Sequence, residues 1–368
     1  MTVKDVQNVI EAWAPREIAW ERDNIGLQVG SPDAVVETIL VCLDVTEDTI
    51  REAIARHANL IISHHPLLFR PLRTIDMRTW TGRCVARLLR SKINLYSAHT
   101  NLDFTRGGTS FALAEKLGLT NVDFLLKDFK LKRKVVTFVP PDHVDQVANA
   151  MTNAGAGRIG NYESCSFRTR GTGTFKGDER SSPTAGVRGN LEHQEEVRLE
   201  MIADQPIVST VVRAMINAHP YEEVAYDVYP LENVSQDYGM GVIGELPNPL
   251  STGKFTMHVM KSLNVKAIRS TRHGTARIHR VAVCGGSGSE LTDEAIRQGA
   301  HAFITADVKY HSFQDAADRI LLIDAGHYET ERPVVDAFTK ELKGILKRGG
   351  QQLAVYAART SSNPIVYN

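Results

Sequence analysis

Apolar runs that end in histidine or in acidic residues carry the candidate chemistry of this sequence. Residues 60 to 69, LIISHHPLLF, predict a buried strand that leads into two adjacent imidazoles, His64 and His65. Polar side chains in such surroundings need partners, because burying them unpaired costs free energy. Three further apolar runs lead into comparable groups, which are His99 with Asp103, Asp307 with Lys309 and His311, and His327 with Glu331. Imidazole and carboxylate are ligands for zinc, manganese and iron, and no thiolate belongs to this set.

The candidate ligands have the composition of a two-metal site. His64, His65, Asp103, His327 and Glu331 together offer three nitrogen ligands and two carboxylates. These groups are too few to saturate two separate ions, but they fit two ions that share a carboxylate and a water. Two ions about 3.5 to 4 Å apart leave positions open for substrate and lower the pKa of bound water towards 7. We therefore expect two divalent ions per chain, with Zn, Mn and Fe as the candidates.

Each of these motifs also has a structural interpretation. His64 and His65 can cap a strand, and since neighbouring strand residues point to opposite faces, both reach one site only if the chain turns at Pro66. A His-x-x-x-Glu spacing occurs on ordinary surface helices as well. Residues 307 to 311 can bind substrate or form the solvated first turn of a helix. Residues 284 to 289, CGGSGS, can bind a phosphate through backbone amides or form a tight turn.

Two segments of the chain resemble each other. Residues 39 to 65 align with residues 281 to 307 without a gap and with seven identities. Each segment predicts a strand, an amphipathic helix and a second strand, which form a βαβ unit with parallel strands. A further apolar strand follows each copy and ends in His-x-x-x-carboxylate. We expect an α/β core of two pseudo-symmetric α/β halves, residues 1–127 and 247–368, in one discontinuous domain, with ligands bound beyond the carboxyl ends of the strands.

The segment between the two halves has a different pattern. Residues 128–246 predict a strand, a helix, two strands, a second helix and a final strand. This order is that of the ferredoxin-like, or split βαβ, fold. We therefore expect an inserted α+β domain in the middle of the chain.

The composition is that of an ordinary globular protein, with 42% hydrophobic and 23% charged residues among 368. The 43 basic residues balance the 43 acidic ones, so no electrostatic feature indicates a nucleic acid or an anionic membrane as partner. The four cysteines are scattered without a pairing motif. No apolar run reaches the roughly 20 residues of a membrane span, and the first residues lack the apolar core of a signal peptide. We expect a cytoplasmic protein.

Four motifs, in this order, resemble the Ngg-one-interacting-factor-three-like family, whose bacterial members are often labelled GTP cyclohydrolase type-two homologues. The motifs are ISHHPLLF, AHTNLD, ITADVKYH and DAGHYETE. The resemblance covers essentially the whole chain, including WERDNIGLQVG near its start. It implies a dinuclear metal site at the five candidate ligands, in which Glu331 bridges both ions. It also implies a ring-shaped homohexamer, with trimer contacts made by a PII- or CutA-like insert.

Two functions are compatible with these patterns. The first is a metal-dependent hydrolase of a small phosphorylated or nucleotide-like substrate, with His65 and Asp103 on one ion and His64 and His327 on the other. The side chains expected to bind the substrate anion or to shuttle a proton are Lys309, His99 and His311. The second function is that of a non-enzymatic metal-handling or regulatory hexamer. A shared metal site does not decide between them, because one fold supports many reactions.

Overall fold

The structure, a computed structural model, describes residues 1–182, 184, 186–272 and 277–366. It is a mixed α/β protein, as the sequence predicts. Its internal contacts divide it into two units. The first unit contains the described residues of Met1–Lys127 and Gln236–Asn368, and the second those of Asp128–Ser235.

Strands and α-helices are numbered in chain order. Among the described residues the strands are β1 (Gly26–Val29), β2 (Thr38–Cys42), β3 (Leu60–Ser63), β4 (Asn94–Ser97), β5 (Thr120–Leu126), β6 (Lys132–Val139), β7 (Ser166–Phe175), β8 (Glu192–Asp204), β9 (Tyr226–Pro230), β10 (Met240–Leu250), β11 (Arg269–Ser270), β12 (Ile278–Ser287), β13 (Ala302–Ala306), β14 (Leu321–Asp324) and β15 (Ala354–Ala357). The helices are α1 (Val3–Trp13), α2 (Glu47–Ala55), α3 (Trp80–Arg90), α4 (Thr100–Asp103), α5 (Thr109–Lys116), α6 (Val144–Asn153), α7 (Val208–Ala218), α8 (Thr252–Leu263), α9 (Thr292–Arg297), α10 (Tyr310–Ala316), α11 (His327–Glu331) and α12 (Pro333–Arg348).

A five-stranded sheet of the first unit has the order β1-β4-β3-β2-β15. Strands β2, β3 and β4 are parallel neighbours, β15 is parallel to β2, and β1 is antiparallel to β4. Every residue of β3 and β4 is buried, which is typical of parallel strands covered on both faces. Helix α2 connects β2 to β3 and begins at a capping box formed by Thr46 and Thr49. The carboxyl ends of the parallel strands therefore lie side by side at one edge of the sheet.

A six-stranded sheet of the same unit has the order β11-β14-β13-β12-β10-β5. Strands β12, β13 and β14 are parallel neighbours, and α9 lies between β12 and β13 in the chain. Strand β10 is antiparallel to both β12 and β5. Each sheet of this unit thus contains three neighbouring parallel strands that follow one another in the chain, and the first two of these are joined through a helix.

The two sheets exchange edge strands between the N-terminal and C-terminal parts of the chain. Strand β5 precedes the second unit in sequence but pairs with β10 in the six-stranded sheet. Strand β15 lies close to the C-terminus but pairs with β2 in the five-stranded sheet. Each sheet therefore contains a strand from the other end of the chain, and both sheets belong to the first unit. Burial explains the exchange, because Phe124 packs in the core around β10 and β12, and Val355 packs in the core around β2.

Helix α12 covers one face of the five-stranded sheet. It buries Phe338 and Leu342 in a cluster that also contains Val41 and Tyr96 from the sheet. Full burial of each such side chain contributes about 1.5–3 kcal/mol. Because α12 follows α11 after a single residue, this packing also fixes the position of α11 against the sheet.

The second unit contains β6, α6, β7, β8, α7 and β9, in that order. Its antiparallel sheet has the order β7-β8-β6-β9. The unit ends at Ser235, whereas the sequence pattern places the end of the insert at residue 246. The difference arises because β10 pairs with β5 and β12 and so belongs to the first unit. Within the described residues, no helix has both the length and the apolar character that crossing a bilayer demands.

Candidate metal centre

His64 and His65 follow β3 directly, at the carboxyl end of the parallel strands. Their backbone amides donate to the carbonyls of Cys42 and Leu43 at 3.0 and 2.9 Å. These bonds continue the pairing of β3 with β2 past the end of β3. The hydroxyl of Ser97 donates to the carbonyl of His64 at 2.9 Å. The two imidazole rings lie 5.0 Å apart between centroids. The backbone thus holds the two rings next to each other rather than on opposite faces of the sheet.

Asp103 ends the single-turn helix α4, which follows β4. Its Oδ1 lies 3.4 Å from Nε2 of His64. The side chain of Asn101 fixes this turn, because its Oδ1 accepts from the backbone amide of His99 and its Nδ2 donates to the carbonyl of Ala14. The end of the neighbouring strand therefore brings a carboxylate to His64.

Helix α11 follows β14 and carries His327 and Glu331 on one face, because residues four apart in a helix are neighbours. The Glu331 side chain is only 5% exposed. Its Oε2 lies 2.8 Å from Nε2 of His65 and 3.1 Å from Nε2 of His327. Its Oε1 lies 3.9 Å from Nε2 of His64. One buried carboxylate thus lies among three imidazoles, two of which follow β3 while the third lies with it on α11.

The cluster contains two groups of three residues that could each hold a metal ion. Within each group, one ligand atom of every residue lies within 4.8 Å of the others. The groups are His64 with His65 and His99, and His65 with His327 and Glu331. The distances place Asp103 beside His64, and His327 beside His65. The pairs expected from the sequence were instead His65 with Asp103 and His64 with His327. The difference follows from the His64 ring, whose Nδ1 bonds to the carbonyl of Ala98 at the end of β4 and whose Nε2 therefore faces α4.

Each imidazole of the cluster is oriented by a partner at its Nδ1. The partners are the Ala98 carbonyl for His64 at 3.0 Å, Asp44 for His65 at 2.7 Å, Asp23 for His99 at 2.9 Å and Asp307 for His327 at 2.6 Å. Such outer bonds fix the tautomer and the orientation of histidines in metal sites. Asp44 and Asp23 were not among the residues predicted from the sequence. The position of Asp44 just after β2 was a usable signal, and Asp23 lies within WERDNIGLQVG, a segment that carries the family resemblance.

The charges in the cluster depend on one another. Burial opposes the charge of Glu331, but His327 and His65 outweigh it and hold the pKa of this carboxyl well below its usual range. Burial also opposes protonation of His65, yet the hydrogen bond to Asp44 and the negative charge of the nearby Glu331 raise its pKa to about 10. Against the same opposition, Glu331 and Asp307 raise the pKa of His327 to about 9. An ionised carboxylate is thus held in place by positive charge, and a metal cation competes with protons for that role.

Three buried atoms of the cluster have no hydrogen-bond partner in the part of the chain that the structure describes, and these are His64 Nε2, Asp103 Oδ1 and Glu331 Oε2. The approach of Glu331 Oε2 to His65 Nε2 lacks the alignment of a hydrogen bond. A buried polar atom without a partner costs about 1–3 kcal/mol. These atoms are the nitrogen and oxygen donors that zinc, manganese and iron accept. The residues of the cluster therefore fit a divalent metal.

Residues 284 to 287 form the end of β12. Gly286 has a φ of +65°, and a Cβ at this position would overlap Oε1 of Glu331. Its amide donates to the hydroxyl of Thr330 at 3.1 Å, and its carbonyl accepts from the hydroxyl of Thr305 at 2.8 Å. A glycine at this position lets the backbone approach the central carboxylate closely.

The other candidate catalytic residues divide into two groups. His99 lies beside the cluster, with its ring centroid 5.2 Å from that of His64. Lys309 and His311 are exposed at the start of α10, where the His311 ring contacts Tyr310. Among the residues described, no hydrogen bond, ion pair or ring contact joins Lys309 or His311 to the candidate ligands. Catalytic roles for these three residues remain predictions.

The fold and the site define a class of protein, namely a mixed α/β protein with clustered histidines and carboxylates that fit divalent metal ions. The family model for Duf34/NIF3 (NGG1p interacting factor 3) matches residues 1–364, and the chain belongs to this family.

Relatives and solved structures agree with this assignment. The chain is 38% identical to the "GTP cyclohydrolase 1 type 2 homolog" of Halalkalibacterium halodurans, over 100% of both chains. It is 36% identical to the protein of the same name in Bacillus subtilis, over 99% of this chain and 98% of that one. A crystal structure of a Bacillus cereus protein related to NIF3 has a TM-score of 0.85 at 38% identity, and covers 100% of this chain and 99% of the other. Staphylococcus aureus protein SA1388 has a TM-score of 0.81 at 29% identity, with the same coverage.

Proposed function

We propose that the protein is a metal-dependent hydrolase that uses two divalent ions and acts on a small phosphorylated or nucleotide-like substrate. The observation that carries the proposal is the position of Glu331, a buried carboxylate within 2.8–3.9 Å of the Nε2 atoms of three histidines. The relatives named as GTP cyclohydrolase homologues support a nucleotide-like substrate.

The distances suggest how the ligands divide between the two ions. We assign His64 and Asp103 to one ion and His65 and His327 to the other, because these pairs are the neighbours in the cluster. Glu331 lies near both pairs and would be the ligand that the two ions share. When bound, two such ions supply Lewis acidity and an activated water for hydrolysis.

The residues around the ligands hold rings and protons in place. Asp44 and Asp307 orient His65 and His327 through their Nδ1 atoms. His99 is held in the same way by Asp23, a carboxyl whose pKa falls to about 2 because the bonds from His99 and Thr100 outweigh its burial. Asp23 accepts a hydrogen bond from Nδ1 of His99, which leaves Nε2 as the ring nitrogen available for proton transfer. His99 is therefore the residue that takes a proton from, or returns it to, the reacting groups.

The two exposed candidates have more peripheral roles in this proposal. Lys309 offers a positive charge for a substrate anion at the same sheet edge as Asp307. His311 is a proton carrier at the entrance to the site. Both roles concern the substrate and not the metal. Substitution of Lys309 or His311 should therefore change KM without changing the metal content.

The finer features of the architecture belong to the same proposal. The shared order of β2-β3-β4 and β12-β13-β14 supports two related halves. The order β7-β8-β6-β9 supports a ferredoxin-like insert of the PII or CutA kind. Family membership supports a homohexamer. The exposed side chains of Phe167, Tyr226 and Tyr229 on the insert's sheet offer apolar surface for its contacts. Light scattering of the purified protein tests the hexamer.

The test of the metal centre combines metal content with turnover. Elemental analysis of the purified protein is expected to find about two equivalents of Zn, Mn or Fe per chain. Glu331→Gln is expected to lose most of this metal, whereas Glu37→Gln, a control at an exposed position, keeps it. Less than one equivalent in active, unchanged protein contradicts the two-metal assignment.

Turnover separates the hydrolase from the metal-handling alternative. The metal-loaded protein is screened against nucleotides and generic phosphodiesters, with Glu331→Gln beside it. Hydrolysis that is lost in Glu331→Gln supports the proposal. Absence of turnover on every substrate, together with rapid transfer of the ions to a chelator, supports a metal-handling protein instead.

A further inference from the structure

The segment that follows β15 connects the two parts of the metal centre. The amide of Ala358 donates to the carbonyl of Val41 at 2.8 Å, so the segment continues along β2 beyond the strand. The amides of Arg359 and Thr360 and the Thr360 hydroxyl then donate to the carboxylate of Glu52 at 2.7–3.1 Å. These bonds anchor residues 358 to 360 independently of the metal ligands.

Beyond this anchor the segment contacts the outer groups of the metal centre. The hydroxyl of Ser362 donates to Oδ2 of Asp44 at 2.5 Å. The other oxygen of Asp44, Oδ1, lies 2.7 Å from Nδ1 of His65. The next residue, Asn363, donates from its side-chain amide to Glu329 at 2.8 Å, between the two candidate ligands of α11. The segment thus contacts the elements that hold His65 and those that hold Glu331.

From this geometry we infer that Ser362 is a positioning residue of the metal centre and acts on His65 through Asp44. The inference rests on the proposed function, since it assigns a role to Ser362 in holding the metal ligands. Asp44 is bonded on both oxygens, so its carboxylate cannot rotate without breaking either the serine bond or the histidine bond. A fixed carboxylate fixes the His65 ring and directs its Nε2 at Glu331, 2.8 Å away.

The size of the effect follows from the position of Ser362 outside the ligand set. Loss of an outer partner of a metal-binding histidine typically weakens metal binding by about 10- to 100-fold. Ser362 is one hydrogen bond further from the proposed metal than Asp44, because it contacts Asp44 and not His65. We therefore expect Ser362→Ala to weaken metal binding by about 10-fold, the lower end of that range.

The experiment measures metal affinity and ligand geometry in the full-length protein. The dissociation constant for Zn²⁺ is measured by competition with a chromophoric chelator, and the visible absorption spectrum of the Co²⁺-loaded protein reports the ligand geometry. Three variants are compared with the unchanged protein, and these are Ser362→Ala, Ser362→Thr and Ser361→Ala. Thermal unfolding without metal shows whether each variant is folded.

The expected result is a weaker Zn²⁺ affinity and a changed Co²⁺ spectrum for Ser362→Ala alone. Ser362→Thr keeps the hydroxyl and restores both properties. Ser361→Ala serves as the matched control, because the Ser361 hydroxyl contacts the Tyr328 hydroxyl rather than Asp44.

Two results overturn the inference in distinguishable ways. An unchanged affinity and spectrum in Ser362→Ala, or an equal loss in Ser361→Ala, refutes the role of Ser362 but leaves the metal centre intact. A failure of the unchanged protein to bind Zn²⁺ or Co²⁺ refutes the proposed metal centre and the role of Ser362 with it.

Discussion

Replacing Gly286 with alanine tests whether the backbone of β12 holds the central carboxylate in place. At its φ of +65°, a residue with a Cβ costs about 1–2 kcal/mol more than glycine. The added Cβ would also overlap Oε1 of Glu331 and lie 3.1 Å from its Cδ and 3.4 Å from Cε1 of His327. Overpacking of a buried site costs about 1–3 kcal/mol. The free energy of unfolding of Gly286→Ala is therefore expected to fall by about 2–5 kcal/mol.

Gly299→Ala is the matched control for this substitution. Gly299 has a φ of +73°, and no heavy atom lies within 4 Å of the position that its Cβ would take. It therefore carries only the backbone cost, about 1–2 kcal/mol. Urea unfolding of the metal-free proteins measures the difference between the two variants. Elemental analysis is expected to show less metal in Gly286→Ala, because Glu331 must move to accommodate the methyl group.

A double-mutant cycle shows whether the contact with Glu331 is the cause. In the background of Glu331→Ala the carboxylate is absent. Gly286→Ala should then lower the free energy of unfolding only by the backbone cost of its positive φ. The expected interaction energy between the two positions is about 1–3 kcal/mol in metal-free protein. If Gly286→Ala and Gly299→Ala lose equal stability and both keep their metal, the close approach of β12 to Glu331 has no energetic role and the reasoning is refuted.

Three further predictions concern groups around the site. Burial opposes the charge of Glu52, but hydrogen bonds from Thr360 outweigh it and lower the pKa of this carboxyl from 4.5 to about 2. The ionised carboxylate therefore stabilises the folded protein by about 1–3 kcal/mol above pH 4.5. This stability is lost as the pH falls towards 2. Urea unfolding at about pH 6 and about pH 3 should therefore show a smaller pH dependence in Glu52→Gln, and an unchanged one contradicts this role. Asp23→Asn removes the carboxylate that orients His99 and should reduce turnover by about 10- to 100-fold at unchanged metal content; full activity excludes His99 as the proton carrier. Lys309→Ala should raise KM for an anionic substrate without changing kcat, and an unchanged KM excludes Lys309 from substrate binding.

The parts of the site that the sequence predicts are those with a strong local pattern. The apolar run before His64 and His65 predicts a buried strand because its residues have a high preference for parallel sheets. The same reasoning applies to the strands before His99 and His327, and the structure has a strand at each of these places. A strand end fixes where a side chain lies along the sheet edge, so candidate ligands can be identified before their contacts are known.

The parts that the sequence does not predict depend on pairing between distant residues. Strand β15 is four residues long, and its pairing with β2 across about 300 residues has no local signal. The same holds for Asp23, whose partner His99 is 76 residues away. The pairing of Asp103 with His64 depends on the rotation of one ring by the Ala98 carbonyl, and no spacing rule contains that information.

The C-terminal part of the chain is what brings the ligands together. Helix α12 packs its Phe338 against the core of the five-stranded sheet, and β15 adds a strand to the same sheet. These contacts hold α11, one residue before α12, at the sheet edge where His65 lies, so that Glu331 reaches its Nε2. Ser362 then adds a bond at the far side of that imidazole through Asp44. The return of the chain to the first sheet therefore holds the candidate ligands together, and we expect that weakening it lowers metal affinity even when every candidate ligand is unchanged.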